Sequence, residues 1–208
     1  NAGGMAAERP YRSFEEYLAG FRSKRRMQFR RERRAVAESG VRMRIVKGDQ
    51  LRPELMVVLF QIYKRTVDRN VWGRQYLNEQ FFTMLAQRFR HRLCAVLAVR
   101  DGEIVAATFN ILKGGVLYGR YWGALRNSRF LHFETCYYTP IEAAIEHGWH
   151  RFEPGAGTPD SRISRGFAPV RTHSVHFFTD ASLHRAVAER LHAQRERLHS
   201  EAPHDPRQ

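Results

Sequence analysis

The spacing of apolar residues changes repeatedly along this chain, and each change marks an element. Ser13-Phe14-Glu15-Glu16 reads as a capping box, in which the Ser13 hydroxyl accepts from the N–H of Glu16 and the Glu16 carboxylate returns to the cap. Phe14, Tyr17, Leu18 and Phe21 follow on one helical face. A basic stretch, Arg22 to Arg34, runs on toward Gly40, a residue suited to the position just past a helix end. Val41, Met43 and Ile45 alternate with Arg42 and Arg44, as in a half-exposed strand. Leu55, Val58, Leu59, Ile62 and Val67 predict a helix from about Pro53 to Arg69, and a second is expected from about Asn78 to Arg90. Pro53 fits the first turn, where its missing N–H is not needed.

Leu93–Arg100 is a continuous apolar run of the kind found in buried strands. Asp101-Gly102 and Gly114-Gly115 are hairpin turns, so Glu103–Lys113 and Val116–Leu125 complete a meander. A helix from about Leu131 to His147 stops at Gly148, and Trp149–Glu153 is the next strand. Gly155–Gly157 opens a loop holding a short helix near Ile163, and Arg171–Phe178 reads as the last strand. Asp180 or Ser182 caps a terminal helix with Leu183, Val187 and Leu191 on one face. The helix between Val116–Leu125 and Trp149–Glu153 is a crossover, which makes those two strands a parallel pair. The expected architecture is α/β: a mixed sheet with helices on both faces.

With 208 residues, 43% of them hydrophobic, the chain can bury one core. We expect a single domain over residues 11–201, with flexible ends at 1–10 and 202–208; residues 1–4 read as a frayed end or cloning remnant. No apolar run approaches bilayer length and no signal-peptide pattern opens the chain, so the expectation is a soluble, unsecreted, cytoplasmic protein. Cys94 lies in an apolar strand and Cys136 in a helix. Both read as reduced thiols, with Cys136 the alternative as a nucleophile.

Charge changes the picture. Thirty-five Lys and Arg stand against 21 Asp and Glu, a net +14. A field of this size favours polyanions: nucleic acid, anionic lipid or a phosphorylated donor. It concentrates in Arg22–Arg34, where Glu32 is the only acid, and Arg25, Arg26, Arg30 and Arg33 are the candidate polyanion contacts. The other reading of this run is a solvated face. The histidines show no metal spacing, and His173 and His176 fall on opposite faces of a strand, so no metal is expected.

Several residues have the right chemistry in the right place for a site. Glu134 and Tyr138 are four apart on one face of the crossover helix, with His132 off that face. Glu134 is equally favoured there by the helix dipole. Glu153 ends the strand after the crossover, and the carboxyl ends of parallel strands are where α/β sheets bind ligands. On the third meander strand simple alternation puts Tyr118 and Trp122 on one face and Tyr121 on the other. Aromatics there are commonly core. Arg126 and Arg129 could meet an anion at the start of the crossover helix, although Arg126–His132 holds no glycine; the other reading is two solvated loop arginines.

Taken together, Leu117–Gly123, Leu131–Tyr138, Ile141-Glu142, Gly148, Arg151–Ala156, Arg165-Gly166-Phe167, Pro169 and Ser174-Val175-His176 closely resemble the FemAB-like family of bacterial N-acyltransferases, of peptidoglycan biosynthesis/recognition type. The resemblance spans roughly Tyr11 to Phe178 and is dense from Tyr118 to Gly155. Arg22–Arg34 also resembles the Lys/Arg-rich stretch that precedes a strand in Fem-type transferases. One departure stands out: where the family commonly has a Gln-Gly-Glu-His-Lys-like run, this chain has Gly157-Thr158-Pro159-Asp160-Ser161-Arg162.

The resemblance implies a GNAT-like domain that moves an acyl or aminoacyl group onto an amine. Such a reaction needs a route for the ammonium proton and donors for the oxyanion. It implies Glu134, Glu153 and His132 as catalytic candidates, and Tyr118, Tyr121, Trp122, Tyr138 and Arg165 as substrate contacts. No cofactor is expected to be bound permanently; acyl-CoA or aminoacyl-tRNA would be the co-substrate, and the amine could belong to a cell-wall precursor. Fem-type relatives usually carry two such domains, so a second copy or a second domain is an expected partner. The alternative function is a non-catalytic module of the same fold that binds tRNA or another polyanion through its basic helix.

Overall fold

A computed structural model describes residues 3–4, 11–68, 75–155, 159–169 and 175–200. Its elements in chain order are β1 (Gly3–Gly4), α1 (Phe14–Ala19), α2 (Ser23–Glu38), β2 (Arg42–Lys47), α3 (Pro53–Asp68) and α4 (Glu79–Arg88). Then come β3 (Leu93–Arg100), β4 (Glu103–Lys113), β5 (Val116–Ala124) and a continuous crossover helix. The crossover consists of α5 (Leu131–Phe133), a π-helical turn at Glu134–Tyr138, and α6 (Thr139–Glu146). Last are β6 (Arg151–Glu153), α7 (Pro159–Ile163), β7 (Ala168–Pro169) and α8 (Ala181–Ser200).

Among the described residues the main sheet has the order β2-β3-β4-β5-β6. The first four strands pair antiparallel, and β5 pairs parallel with β6 through Val116↔Arg151, Leu117↔Phe152 and Tyr118↔Glu153. Turn chemistry sets the meander. Asp101 and Gly102 both have positive φ (53° and 79°), as do Gly114 and Gly115 (56° and 72°), the pattern of tight hairpin turns that match strand twist. One face of the sheet is covered by α3 and α4, through Leu59, Ile62, Tyr63 and Phe82 against Ala95, Leu97 and Phe109. The other is covered by α1, α2 and the crossover helix, through Tyr17, Phe29, Tyr138 and Ile141 against Leu117 and Phe152. The mixed sheet with helices on both faces is therefore observed.

Outside the candidate site the structure departs from the expectations in four places. Ser13 does accept from the Glu16 N–H (3.1 Å), but the Glu16 carboxylate takes the Arg12 N–H (2.7 Å) instead of returning to Ser13. Gly3 and Gly4, within the end expected to be flexible, pair with Pro169 and Ala168. The last strand expected at Arg171–Phe178 lies partly outside the described residues, and 175–178 carry no regular structure: Val175 and Phe177 are 97% and 80% exposed. Finally, α8 forms under an Asp180 cap, with Leu183 N–H donating to its carboxylate (2.8 Å), yet Leu183 and Leu191 stay exposed.

Candidate active site

The site begins where β5 and β6 part. Their pairing ends at Tyr118 and Glu153, and the next residues are too close for side chains. A Cβ on Gly119 would lie 2.9 Å from the Pro154 backbone, and one on Gly155 2.5 Å from the Gly119 carbonyl oxygen. Beyond Tyr118 and Glu153 the two strands share no further ladder pairing.

A bulge aims the side chains. Asn110 pairs with Gly119 but Phe109 pairs with Tyr121, so Arg120 is an extra residue on β5. The face of every later residue is thereby reversed. Tyr118, opposite Ile111, and Tyr121, opposite Phe109, share the α3/α4 face. Trp122 turns to the crossover-helix side and meets the His132 ring edge-on at 4.8 Å. This corrects the alternation that put Tyr118 with Trp122.

A cavity of about 220 Å³ occupies the opening. Thr108 and Asn110 of β4 form its floor, Arg120, Tyr121 and Trp122 of β5 one wall, and His132, Cys136 and Tyr137 of the crossover helix another. Pro154, Ser161 and Arg162 close it from the α7 side. Asn110 is held by donating to the Cys94 carbonyl (3.0 Å) and to Thr108 Oγ1 (2.9 Å). Trp122 Nε1 is buried with no hydrogen-bond partner. Burial, reinforced by the Arg165 and Arg162 guanidiniums, lowers the His132 pKa to about 4, so the imidazole is neutral near pH 7. Burial pushes the Cys136 thiol well above its ordinary range, so it is no thiolate at neutral pH.

The other candidate residues lie elsewhere. Glu134 is buried behind the cavity, 3.2 Å from Arg33 Nε, with Thr139 Oγ1 donating to it (2.9 Å). Burial raises its pKa against the opposing pull of Arg33 and Thr139, and Oε2 has no partner. Glu153 is half-buried and paired with Arg151 (3.0 Å), and neither Glu153 nor Tyr118 lines the cavity. Tyr138 and Arg165 are internal as well. Arg165 pairs with Glu32 (3.2 Å), donates to Tyr138 Oη (3.1 Å) and the Ser161 carbonyl (2.7 Å), and sits 3.7 Å over the Phe133 ring. The Tyr138 hydroxyl donates to Glu32, and the Tyr17 hydroxyl to the Arg165 carbonyl. Arg126 is an exposed partner of Glu103 (3.1 Å), and Arg129 lies over Phe130.

On α2, Arg33 turns inward to Glu134 and Glu142 and stacks on Phe14. Arg30 reaches Glu15 (2.6 Å), Arg25 donates to Gln28 (2.8 Å), and Arg26 donates to the Phe21 carbonyl. Arg22, Lys24, Arg31 and Arg34 remain on the exposed face. Sequence reasoning missed Thr108, Asn110, Tyr137 and Arg162 as cavity residues, and Glu32 as the partner of Arg165. Two signals were present: a polar pair two apart inside the apolar β4, and a single acid on the Phe29/Val36 face of a basic helix. Among the described residues no cluster of His, Cys, Asp or Glu could hold a metal ion, and no helix is long and apolar enough to cross a membrane.

A five-stranded sheet whose β5 and β6 part over a cavity, with a crossover helix between them, has solved counterparts. FemX matches with a TM-score of 0.55 at 12% identity over 88% of this chain and 56% of its own. L-PGS from Bacillus licheniformis matches at 0.51 and 13% identity over 86% of this chain and 48% of its own. The C-terminal DUF2156 domain of a candidate lysylphosphatidylglycerol synthetase from Agrobacterium fabrum matches at 0.52 and 13% over 78% and 48%. The chain thus spans about half the length of these structures. No curated protein matches it. At these identities the likeness is one of fold, and the class it defines is the GNAT-like fold. Within that class the chain belongs to the FemAB-like family, described as peptidoglycan biosynthesis/recognition, whose profile covers residues 5–205.

Proposed function

We propose that this chain is an N-acyltransferase that moves an acyl or aminoacyl group from a carrier, an acyl-CoA or aminoacyl-tRNA, to an amine of a cell-wall precursor or lipid. The observation that carries this reading is the cavity at the parting of β5 and β6, lined by a neutral imidazole, two tyrosines and Arg162. Neutral His132 can accept a hydrogen bond from the attacking amine and so orient it. Trp122 Nε1 and Arg162 are donors suited to the oxyanion. The names of the neighbours, FemX and lysylphosphatidylglycerol synthetase, and the description of the family support both kinds of acceptor. In this reading residues 11–201 act as one domain, and a second copy or second domain completes the acceptor side.

The test compares carriers. A ligand at 100 times its Kd stabilises by about 2.7 kcal/mol, which raises Tm by roughly 5–11 °C in a domain of this size. We expect one of acetyl-CoA or alanyl-tRNA to do this, and transfer of its labelled acyl group to an added amine to fall at least tenfold in His132→Ala. Failure of both carriers to transfer would overturn the reading.

One observation favours a second reading. Helix α2 starts at Arg22 with no side-chain cap and no acid in its first turn, while Lys24, Arg25 and Arg26 crowd there against the helix dipole. A polyanion would relieve that cost. If the module only binds, tRNA affinity should fall steeply with salt, the slope should flatten in Arg25→Gln/Arg26→Gln/Arg30→Gln, and no transfer should accompany it.

A further inference from the structure

Helix α2 has two sides of different character. Its inner side is fixed: Phe29, Glu32 and Val36 are buried, Glu32 pairs with Arg165, and Arg33 pairs with Glu134 and Glu142. These contacts keep the helix from rolling to hide its outer side. There Lys24, Met27, Arg31 and Arg34 recur at i, i+3, i+7 and i+10, a single stripe about 15 Å long. All four are exposed, Met27 to 60%. Among the described residues none of the three cations has a hydrogen bond, ion pair or ring contact, whereas Arg25, Arg26, Arg30 and Arg33 of the same helix all have partners. Glu38, at the far end of the stripe, makes no ion pair with Arg34, and Glu15 of α1 is taken by Arg30. Arg30 and Arg34 are four apart and Arg31 and Arg34 three apart, spacings at which like charges cost helix stability.

We infer that this stripe seats the protein on an anionic lipid surface: Lys24, Arg31 and Arg34 meet lipid phosphates, and Met27 enters between the headgroups. What stands at the centre of the stripe favours a lipid surface over a nucleic acid. A phosphate backbone gives an exposed thioether nothing to bury against. Base stacking would need an aromatic ring, and Phe29, the only aromatic residue of α2, is buried. A bilayer interface offers both anionic phosphates and an acyl boundary for the methionine. Each cation near such a surface adds about fivefold to partitioning, so three give a reversible, salt-sensitive attachment. The inference stands apart from the transfer reading and uses no residue of the cavity.

Co-sedimentation tests this with vesicles of equal parts phosphatidylglycerol and phosphatidylcholine, against vesicles of phosphatidylcholine alone. Filter retention of tRNA is measured beside it. The protein should bind the anionic vesicles only, and less as salt rises. Lys24→Gln/Arg31→Gln/Arg34→Gln should weaken binding at least about tenfold. Arg52→Gln/Arg65→Gln/Arg88→Gln removes equal charge from exposed residues on and beside α3 and α4, across the sheet, and should change binding by no more than about twofold. Met27→Ser should weaken vesicle binding about threefold or more and leave tRNA retention unchanged. The substituted side chains are exposed, so the circular dichroism of each variant should match the parent protein. If the first triple variant unfolds, Arg31→Gln and Arg34→Gln singly, each expected to cost about fivefold, decide the question. Absence of a preference for anionic vesicles, equal losses in the two triple variants, or no effect of Met27→Ser overturns the inference. A fall in tRNA retention in the first triple variant, with vesicles ignored by the parent protein, assigns the stripe to nucleic acid and overturns it too. Transfer to a soluble amine is scored separately, so failure of either assay leaves the other result standing.

Discussion

Replacing Glu32 by Gln isolates one buried charge. The carboxylate lies on α2, 3.2 Å from the Arg165 guanidinium, and their side chains are 2% and 5% exposed. Gln keeps the size and can still accept from the Tyr138 hydroxyl and from Arg165, so the change removes the charge and one further hydrogen bond, that from Gln28 Nε2 (2.7 Å). Arg165 is then left in the interior with aromatic rings and carbonyls but no counter-ion. Removing one member of a buried pair costs about 3–5 kcal/mol, because the desolvation of the remaining ion is no longer offset. For a domain of this length that is a fall in Tm of roughly 6–20 °C. Urea unfolding followed by far-UV circular dichroism measures the loss, and Arg165→Met should match it. The double variant Glu32→Leu/Arg165→Met should recover most of the loss, since neither desolvation penalty is then incurred. A cost below about 1 kcal/mol for Glu32→Gln, or simple addition of the two single losses, would refute the claim that this pair ties α2 to the site.

Further outcomes follow from the same geometry. The His132 pKa is depressed from 6.5 to about 4, so its contribution to stability is complete above pH 6.5 and is lost as pH falls toward 4. The difference is at most about 3 kcal/mol, and unfolding free energies of the protein and of His132→Gln should converge by that amount between pH 7 and 4. Gly123→Ala should destabilise by about 1–3 kcal/mol, because a Cβ there would lie 2.6 Å from the Ile62 carbonyl oxygen and 2.3 Å from Thr66 Oγ1; an unchanged midpoint in urea would show that α3 shifts freely over β5. Arg33→Gln should cost about 2–4 kcal/mol by leaving two carboxylates crowded, whereas Arg30→Gln, which loses only an exposed pair with Glu15, should stay within 1 kcal/mol by the same assay.

What the sequence determined by itself was whatever depends on neighbours a few residues away. The two hairpins are legible because Asp101-Gly102 and Gly114-Gly115 accept positive φ at a local cost that few other pairs can meet. The helix α3 is legible from its apolar period and from Pro53 in its first turn, and α4 from a helix expected at about Asn78, whose side chain in the fold accepts the Phe81 N–H at 2.9 Å. The parallel β5–β6 pair is legible because a crossover helix permits little else. His132, Tyr121 and Trp122 could be named for the site only through the family resemblance, and all three line the cavity. Tertiary structure alone decided which side chains face the cavity. One inserted residue, Arg120, reversed the alternation of β5, and no local spacing announces a bulge of that kind. Glu32 read as a minor exception in a basic run, and it became the partner of Arg165, 133 residues away. Val175 and Phe177 alternate as a strand would, yet they lie in no strand and remain exposed. Periodicity and turn preference are local energies, summed over a few residues. Charge pairing, strand registry and burial depend on which distant residues the fold brings together, and a buried ion keeps its charge only where the fold places a counter-charge beside it.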